Sequence, residues 1–233
     1  MIVYELKWQV KLLETINQEK TLDEIGQLIN VSFLASEERA LFHKMNKFKN
    51  YSFCSFYPIE KEGAYLKGNV YTILIRTIDL QLARFFSSYL FDIKNQTMKG
   101  LSCEARIIPK RIIQKLYSLT PCVLKTEHGY WRGHLSFDEL ERRIKNNLIR
   151  KHNMFTGEKL DENFPLYTKM EILNKIPIKI AYKDIHLLGD KIELEIADDK
   201  ISQQIAYMSL GTGLAEMNSA GGFGFVNYQF YKG

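Results

Sequence analysis

Glycines are concentrated near the carboxyl end of the chain. Five of the 14 glycines fall between positions 211 and 224. Glycine lacks a Cβ atom, so its backbone adopts positive φ and approaches other backbone closely. Free amides on such a loop form a concave anion site, and residues 223–228 then supply aromatic faces. A phosphate-binding loop beside aromatic side chains is typical of single-stranded RNA binding. The alternative is a buried glycine turn before an edge strand.

The same segment nearly matches the strand signature of an RNA-recognition motif, a basic residue followed by Gly-aromatic-Gly-aromatic-Val-x-aromatic. Residues 222–228 fit the pattern, with Gly221 in place of the basic residue. In that motif the strand lies in the middle of the domain, whereas this sequence ends at Gly233. The position therefore argues against an ordinary RNA-recognition motif.

Composition is that of an ordinary globular protein. The 233 residues suffice for one large domain or two small ones, and the net charge of +5 is compatible with a polyanionic partner. The three cysteines form no C-x-x-C pair, which argues against a zinc site and a disulfide framework. The first residues alternate and do not form a signal peptide, and no apolar run is long enough to span a membrane. We therefore expect a soluble, cytoplasmic protein without a cofactor or a metal.

Patterns in the first half predict one complete domain. Strict alternation of apolar and polar residues over positions 4–12 predicts a half-buried strand. Thr21 and Glu24 have the spacing of a capping box, which predicts that a helix begins there. The order strand, helix, strand, strand, helix, strand over residues 1–112 indicates a ferredoxin-like domain. Its later elements are expected as strands at 51–57 and 70–78, a helix at 79–91 capped by Asp79, and a closing strand at 101–108.

The second half, residues 113–233, gives the same order less directly. Ser136 and Glu139 form another capping box, which predicts a helix that runs to about residue 150. Gly189 and Asp190 are expected at the turn of a hairpin. The sequence therefore predicts an α+β chain of two tandem ferredoxin-like domains, 1–112 and 113–233. The other expected elements are a linker near 109–120, a strand at 122–125, the hairpin strands at 177–188 and 191–196, a helix at 198–208 and a final strand at 223–230.

Three features together resemble the RAMP superfamily and, within it, the CRISPR-associated endoribonucleases that cut precursor CRISPR RNA within its repeats. The first is the pair of glycine groups at 211–213 and 221–224. The second is His43, followed by several lysines and a phenylalanine-rich strand. The third is the pair of ferredoxin-like domains, so the resemblance covers the whole chain. It implies metal-independent cleavage by a 2′-hydroxyl, which leaves a 2′,3′-cyclic phosphate and a 5′-hydroxyl. It also implies CRISPR repeat RNA as the partner, and leaves open other subunits of an effector complex and a homodimer.

Two departures from that family keep other functions open. The stretch 214–220 carries no Lys or Arg, although relatives usually have one there, and residues 21–42 contain no Tyr to partner the histidine. The general base is therefore unassigned. A RAMP-type subunit that holds guide RNA without cutting it is the main alternative. A small-molecule-binding regulator built from paired ferredoxin-like domains explains the fold but not the Gly-Phe-Gly strand.

The resemblance implies that His43 is the general acid and leaves open that it is also the base, since an imidazole with an unperturbed pKa of roughly 6.5 has both protonation forms available near neutrality. Lys47 and Lys49 follow it and are candidates to neutralise the phosphorane. The alternative for all three is a solvated cluster at a helix end. RNA contacts are expected from the glycine-rich segment, a basic helix and a nearby tryptophan, namely Gly211, Gly213, Asn218, Ser219, Gly221, Gly222, Phe223, Gly224, Arg142, Arg143 and Trp131.

His128 and His134 form a second histidine pair in the sequence. They are six residues apart in a glycine-bearing turn, which differs from the i, i+4 spacing of helical zinc ligands. We therefore expect a turn or an RNA-contacting surface there.

Overall fold

The N-terminal unit is a four-stranded antiparallel sheet with the helices α1 and α3 packed on it. This computed structural model describes residues 1–232. The sheet order is β3-β5-β1-β6, and the short strands β2 and β4 form a separate ladder. The elements are β1 (Tyr4–Leu12), β2 (Ile16–Asn17), α1 (Thr21–Ser32), α2 (Glu37–Lys44), β3 (Tyr51–Phe53), β4 (Ala64–Tyr65), β5 (Val70–Thr77), α3 (Leu80–Tyr89) and β6 (Met98–Ile107).

The C-terminal unit repeats this plan with one insertion. Its main sheet has the order β12-β7-β11-β8, and β9 pairs with β10 in a separate hairpin. Both main sheets have the strand order of a ferredoxin-like fold, so the predicted fold class is confirmed. The elements are β7 (Ile113–Ser118), α4 (Phe137–Thr156), β8 (Tyr167–Ile172), β9 (Ile178–Tyr182), β10 (Ile185–Gly189), β11 (Ile192–Ile196), α5 (Lys200–Thr212), α6 (Asn218–Gly221) and β12 (Val226–Phe230).

The core of the N-terminal unit follows the predicted alternation. Leu6, Trp8, Val10 and Leu12 have no solvent exposure, and they pack with the inward residues of α1 and α3. At the start of α3, the Asp79 carboxylate accepts hydrogen bonds from the amides of the first turn, as predicted. Burial of one face of β1 therefore determines how this strand is oriented in the sheet.

The two expected capping boxes had different outcomes. Ser136 and Glu139 form the reciprocal pair at the start of α4, which confirms that prediction. At α1 the helix begins at Thr21 as predicted, but the capping box does not form, because a 3₁₀ turn precedes this helix. Thr21 donates its hydroxyl to the Asn17 carbonyl, and Glu24 accepts a hydrogen bond from Thr97. The spacing alone does not reveal these partners.

The expected hairpin around Gly189 and Asp190 was also wrong. β9 and β10 pair about the turn at Lys183 and Asp184, whereas β11 lies in the main sheet between β7 and β8. Asp190 is 1% exposed, and a buried carboxylate held by four side-chain donors does not occupy a free turn. Among the described residues 1–232, no named strand covers 122–125. The linker expected near 109–120 is also shorter, because β7 occupies 113–118.

Arg76 of β5 links the two units. Its Nε donates to Glu5 Oε2 at 2.7 Å and its Nη1 to the Val226 carbonyl at 2.5 Å, and the guanidinium lies 4.6 Å from the centre of the Phe225 ring. Arg76 and Glu5 are each 2% exposed. A buried and fully paired arginine therefore fixes how the glycine-rich end of the chain sits against the N-terminal sheet.

Within residues 1–232, none of the helices combines the length and apolar character needed to cross a membrane.

Candidate nucleic-acid interface

A cleft of about 360 Å³ lies where the two units meet. One wall is residues 46–51, which follow α2 and are here called the lysine segment. The opposite wall comes from residues 211–224, here called the glycine loop, and α4 supplies a third side. The lining residues are Asn46, Lys47, Phe48, Lys49, Asn50, Tyr51, Lys125, Asn147, Arg150, Lys151, Thr212, Glu216, Met217, Asn218 and Ser219.

The cleft is electropositive. Its cations outnumber its carboxylates by five to one, Glu216 being the acidic member of the lining. Phe48 lies among the cations, with Arg150 Cζ 5.8 Å and Lys151 Nζ 6.0 Å from the centre of its ring. A lining of this kind suits an anionic ligand that also carries flat, weakly polar groups.

His43 lies in the last turn of α2, beside the cleft and outside its lining. Its ring stacks on Phe33 with 5.2 Å between ring centres, and Phe33 is in turn 6.1 Å from Tyr51, which lines the cleft. The Nδ1 atom is buried and has no hydrogen-bond partner among residues 1–232. The imidazole is therefore held by packing against an aromatic ring.

The two predicted catalytic lysines lie beside the ring of Phe42, which precedes His43 in the sequence. Lys47 Nζ lies 4.9 Å and Lys49 Nζ 5.5 Å from the centre of that ring, and Lys49 also donates to the Met45 carbonyl at 2.6 Å. Burial, and next the charge of Lys49, lower the pKa of His43. Burial and the charge of Lys47 lower the pKa of Lys49. His43 is therefore biased towards its neutral form.

The amides of the glycine loop bond within the protein, which corrects the expected phosphate cradle. They donate to nearby carbonyl oxygens at 2.8–2.9 Å. The four donors are Gly213, Gly221, Gly222 and Gly224, and their acceptors are Ser209, Met217, Asn218 and Pro121 respectively.

These glycines permit close packing. A Cβ atom on Gly224 would lie 2.1 Å from the Leu214 carbonyl oxygen, and one on Gly222 would lie 2.5 Å from the Phe53 ring. Gly211 belongs to α5, where a Cβ would lie 2.8 Å from Ile78. The glycine loop therefore fits tightly against the N-terminal unit, as in the alternative reading of a buried glycine turn.

Lys151 holds the glycine loop from the side of α4. Its ammonium group donates to the carbonyls of Gly213 and Ala215 and to Asn218 Oδ1, at 2.9, 3.0 and 2.7 Å. Lys151 is 2% exposed, and burial lowers its pKa to about 7. Asn218 donates from the same side chain to Leu214 and Phe223. Asn218, predicted to contact RNA, is thus committed to the loop itself.

The aromatic residues predicted to contact RNA are core residues. Phe223 is fully buried, and Trp131 is 8% exposed with its indole N–H donating to Asp190 at 2.7 Å. Neither offers a free ring face for stacking, which corrects the expectation from the Gly-Phe-Gly pattern. Phe223 packs with Phe53 and Val123 ahead of the first residue of β12.

The two predicted arginines of α4 differ in position. Arg143 is one helical turn before Asn147, which lines the cleft, and its guanidinium donates to the carbonyl of Lys125, another lining residue. Arg142 is rotated by about 100° around the helix and approaches Glu139 at 3.9 Å. Ser219 lines the cleft directly, and its carbonyl accepts a hydrogen bond from Tyr51 at 3.1 Å.

Comparison with known proteins identifies the family. Residues 104–228, more than half of the chain, match the family model described as CRISPR associated protein Cas6, C-terminal. The chain belongs to the Cas6 family. It is therefore a CRISPR-associated protein, as the sequence features indicated. Among curated proteins, none matches the sequence.

Solved structures of Cas6 and RAMP proteins share the fold over nearly the whole chain. A CRISPR associated protein Cas6 matches with a TM-score of 0.71 and 20% identity, covering 97% of this chain and 99% of the other. A RAMP protein that binds different RNA substrates matches at 0.69 and 17%, with the same coverage. A Cas6 product complex matches at 0.61 and 14%, covering 98% and 99%. These matches show a common architecture of two ferredoxin-like units.

Several residues of the cleft in this Cas6-family chain were missed in the sequence. Asn147 lies three residues before Arg150, which belongs to the basic helix expected to contact RNA, so helical spacing was the signal that could have found Asn147. Asn50, Lys125 and Glu216 have no comparable signal. They meet only because the two units pack together.

Proposed function

We propose that this Cas6-family protein is an endoribonuclease that cleaves precursor CRISPR RNA within its repeats. The observation that carries the proposal is the basic cleft, where the lysine segment that follows His43 lies opposite the glycine loop. Its cations supply a surface for the phosphate backbone. The shared fold with a Cas6 product complex supports RNA as the substrate class.

The proposed reaction is a transesterification within the RNA. The 2′-hydroxyl gives its proton to His43, its oxygen bonds to the adjacent phosphorus, and the bond to the 5′-oxygen breaks. The imidazolium then returns the proton to the leaving 5′-oxygen, which leaves a 2′,3′-cyclic phosphate and a 5′-hydroxyl. The lowered pKa of His43 suits it to accept the first proton near neutral pH. Nε2 is the reacting atom, since Nδ1 is buried.

Lys49 and Lys47 are the proposed electrostatic partners of this step. Both line the cleft, and Lys49 is close enough to His43 to lower its pKa. A fixed ammonium group beside the phosphorane stabilises the negative charge that develops there. Tyr51 is not the general base in this scheme, because burial raises its pKa and its hydroxyl donates to Ser219.

Cleavage of a repeat transcript in EDTA tests the proposal. Single-turnover rates are compared for the wild-type protein and His43→Gln, with His186→Gln as control because His186 is an exposed residue of β10 outside the cleft. We expect His43→Gln to slow cleavage by about 10²–10⁴-fold and to leave RNA affinity unchanged. Cleavage by His43→Gln at the wild-type rate would remove the imidazole from the mechanism.

A subunit that holds guide RNA without cutting it is the second candidate. It is favoured by the position of His43, whose ring packs on Phe33 and does not line the cleft. Tight, salt-dependent binding of the repeat without product from the wild-type protein would support this candidate over the nuclease.

A further inference from the structure

Two asparagine side chains at the cleft have acceptor atoms that no protein donor satisfies. The Oδ1 atoms of Asn50 and Asn147 are buried and accept no hydrogen bond from residues 1–232. Asn147 as a whole is 8% exposed, and both residues line the cleft. A buried acceptor without a donor is costly. Two of them at one cleft point to a ligand that brings hydrogen-bond donors.

Rigid elements hold both carboxamides. Asn147 lies in the middle of α4, more than two turns from either end. The backbone of Asn50 has φ of 57°, and its carbonyl accepts hydrogen bonds from Thr77 Oγ1 at 2.7 Å and from the Ile78 amide at 3.3 Å. The backbone that carries each acceptor is therefore fixed in place, as recognition requires.

The cations of the cleft are divided between an inner and an outer position. Lys151, the buried one, directs its ammonium protons to the glycine loop. Lys47, Lys125 and Arg150 are exposed at the rim, where they are free to meet phosphates. Phe48 offers a ring between the two positions. A ligand that fits this cleft carries negative charge at the rim, a flat group beside Phe48 and hydrogen-bond donors that face the asparagine acceptors.

We propose that the cleft selects a nucleotide whose base carries an exocyclic amino group, adenine, cytosine or guanine, and discriminates against uracil. The amino group donates to Asn147 and Asn50, the base lies along Phe48, and the flanking phosphates meet the rim cations. Uracil places a carbonyl oxygen where cytosine has its amino group, so it would set oxygen against oxygen. This inference rests on the proposed RNA-binding function and adds base selectivity to it.

Ten-nucleotide RNA tracts that differ in whether the base carries an amino group test the proposal. Affinities of the full-length protein are compared for cytidine against uridine tracts, and for adenosine against purine-riboside tracts, which lack only the amino group. We expect the amino-bearing member of each pair to bind about three- to tenfold more tightly, the effect of one neutral hydrogen bond.

Two variants assign the preference to the asparagines. Asn50→Gly removes a carboxamide at a backbone conformation that glycine adopts readily, so the fold is kept, and Asn147→Ser shortens the other side chain. Each is expected to bring the ratio within a pair towards one, because the amino-bearing tract loses a hydrogen bond and the uridine tract is relieved of the opposed oxygen. Asn50→Asp keeps the acceptor atoms and is expected to keep the preference.

The outcomes separate this inference from the function on which it rests. Tight, salt-dependent binding with equal affinity within both pairs, or with a preference for uridine, overturns the base selectivity and leaves the RNA-binding function standing. Equal loss of affinity for all tracts in the two variants also overturns it. Failure of every tract and of the repeat itself to bind overturns both.

Discussion

The two walls of the cleft differ in burial and in the groups that they expose. The lysine segment carries side chains that reach the cleft, with Lys47 exposed and Lys49 half-buried beside His43. The glycine loop is almost entirely buried, its glycine amides bond within the protein, and Lys151 ties it to α4. Under the proposed function, the lysine segment would provide the chemistry and the glycine loop the shape against which a substrate is placed.

The largest effect is expected where the glycine loop is most tightly packed. Gly224→Ala places a Cβ atom 2.1 Å from the Leu214 carbonyl oxygen at φ of 62°. We expect the free energy of unfolding to fall by about 2–5 kcal/mol, from the clash and the strained backbone together. Denaturant unfolding followed by circular dichroism measures it.

Gly63→Ala is the matched control, since φ is 76° there and nothing lies within 4 Å of the new Cβ. Only the backbone term, about 1–2 kcal/mol, is expected at this position. If both variants lost the same free energy, close packing would not explain the glycine at 224.

The next largest effect concerns the lysine that holds the glycine loop. Lys151→Met removes the donor that satisfies Gly213, Ala215 and Asn218. We expect a loss of about 2–4 kcal/mol in the free energy of unfolding, because three buried acceptors lose their donor. Lys145→Met is the control on the same helix, where the lysine contacts two carbonyls near solvent, and it should cost less.

The contribution of Lys151 to the stability of the protein is expected to depend on pH. Burial lowers the pKa of Lys151 to about 7 in the folded protein, below the ordinary value of 10.5. The unfolded chain therefore binds more protons between these values, and the contribution of Lys151 to stability rises with pH from about 7 to about 10.5. The difference in stability between wild-type protein and Lys151→Met should grow over this range. If the difference in stability between the two proteins did not change with pH, burial would not lower the pKa of Lys151.

The fold was predictable to the extent that burial leaves a periodic pattern. β1 alternates in sequence, and its inward residues from Leu6 to Leu12 are fully buried, although Glu5 on the other face is buried as well. The hairpin was misplaced by one strand, because β11 pairs with β7 and β8 of the main sheet, and the distant pairing with β7 leaves no local signal. Asp190 looked like a turn residue, but it is held by Tyr130, Trp131 and Arg132 from a distant loop.

The candidate site was predictable only in part. His43 and its lysines were found from their resemblance to a family, and the structure gathers them beside the cleft; their catalytic roles stay predictions. The glycines stood out in the sequence, but the same residue type suits an open anion site and a tight contact, and only packing distinguishes these. Asn147 was missed, because an asparagine within a helix gives no local signal by itself. Its role as a lining residue depends on the lysine segment and the glycine loop, which lie far from it in sequence.

A smaller effect should separate the two arginines of α4. Arg143 lies on the helix face of Asn147 and contacts Lys125, whereas Arg142 points away from this face. We expect Arg143→Gln to weaken repeat binding by about three- to tenfold and to reduce the salt slope by about one, as for a lost phosphate contact. Arg142→Gln is the matched control and should bind within about twofold of wild type. Equal losses would place the RNA elsewhere on the helix.

The smallest effect is a shift in the titration of His43. Burial is the first cause of its lowered pKa and the charge of Lys49 the second. Lys49→Gln should therefore raise the pKa of His43 but leave it below its ordinary value, since burial persists. Ring-proton NMR shifts of the free protein measure this without reference to activity. Lys44→Gln is the control, because Lys44 is adjacent in sequence but is not a cause of the shift. An unchanged pKa of His43 in Lys49→Gln would mean that the charge of Lys49 does not act on the imidazole. The lysine segment would then carry cations that act independently of His43.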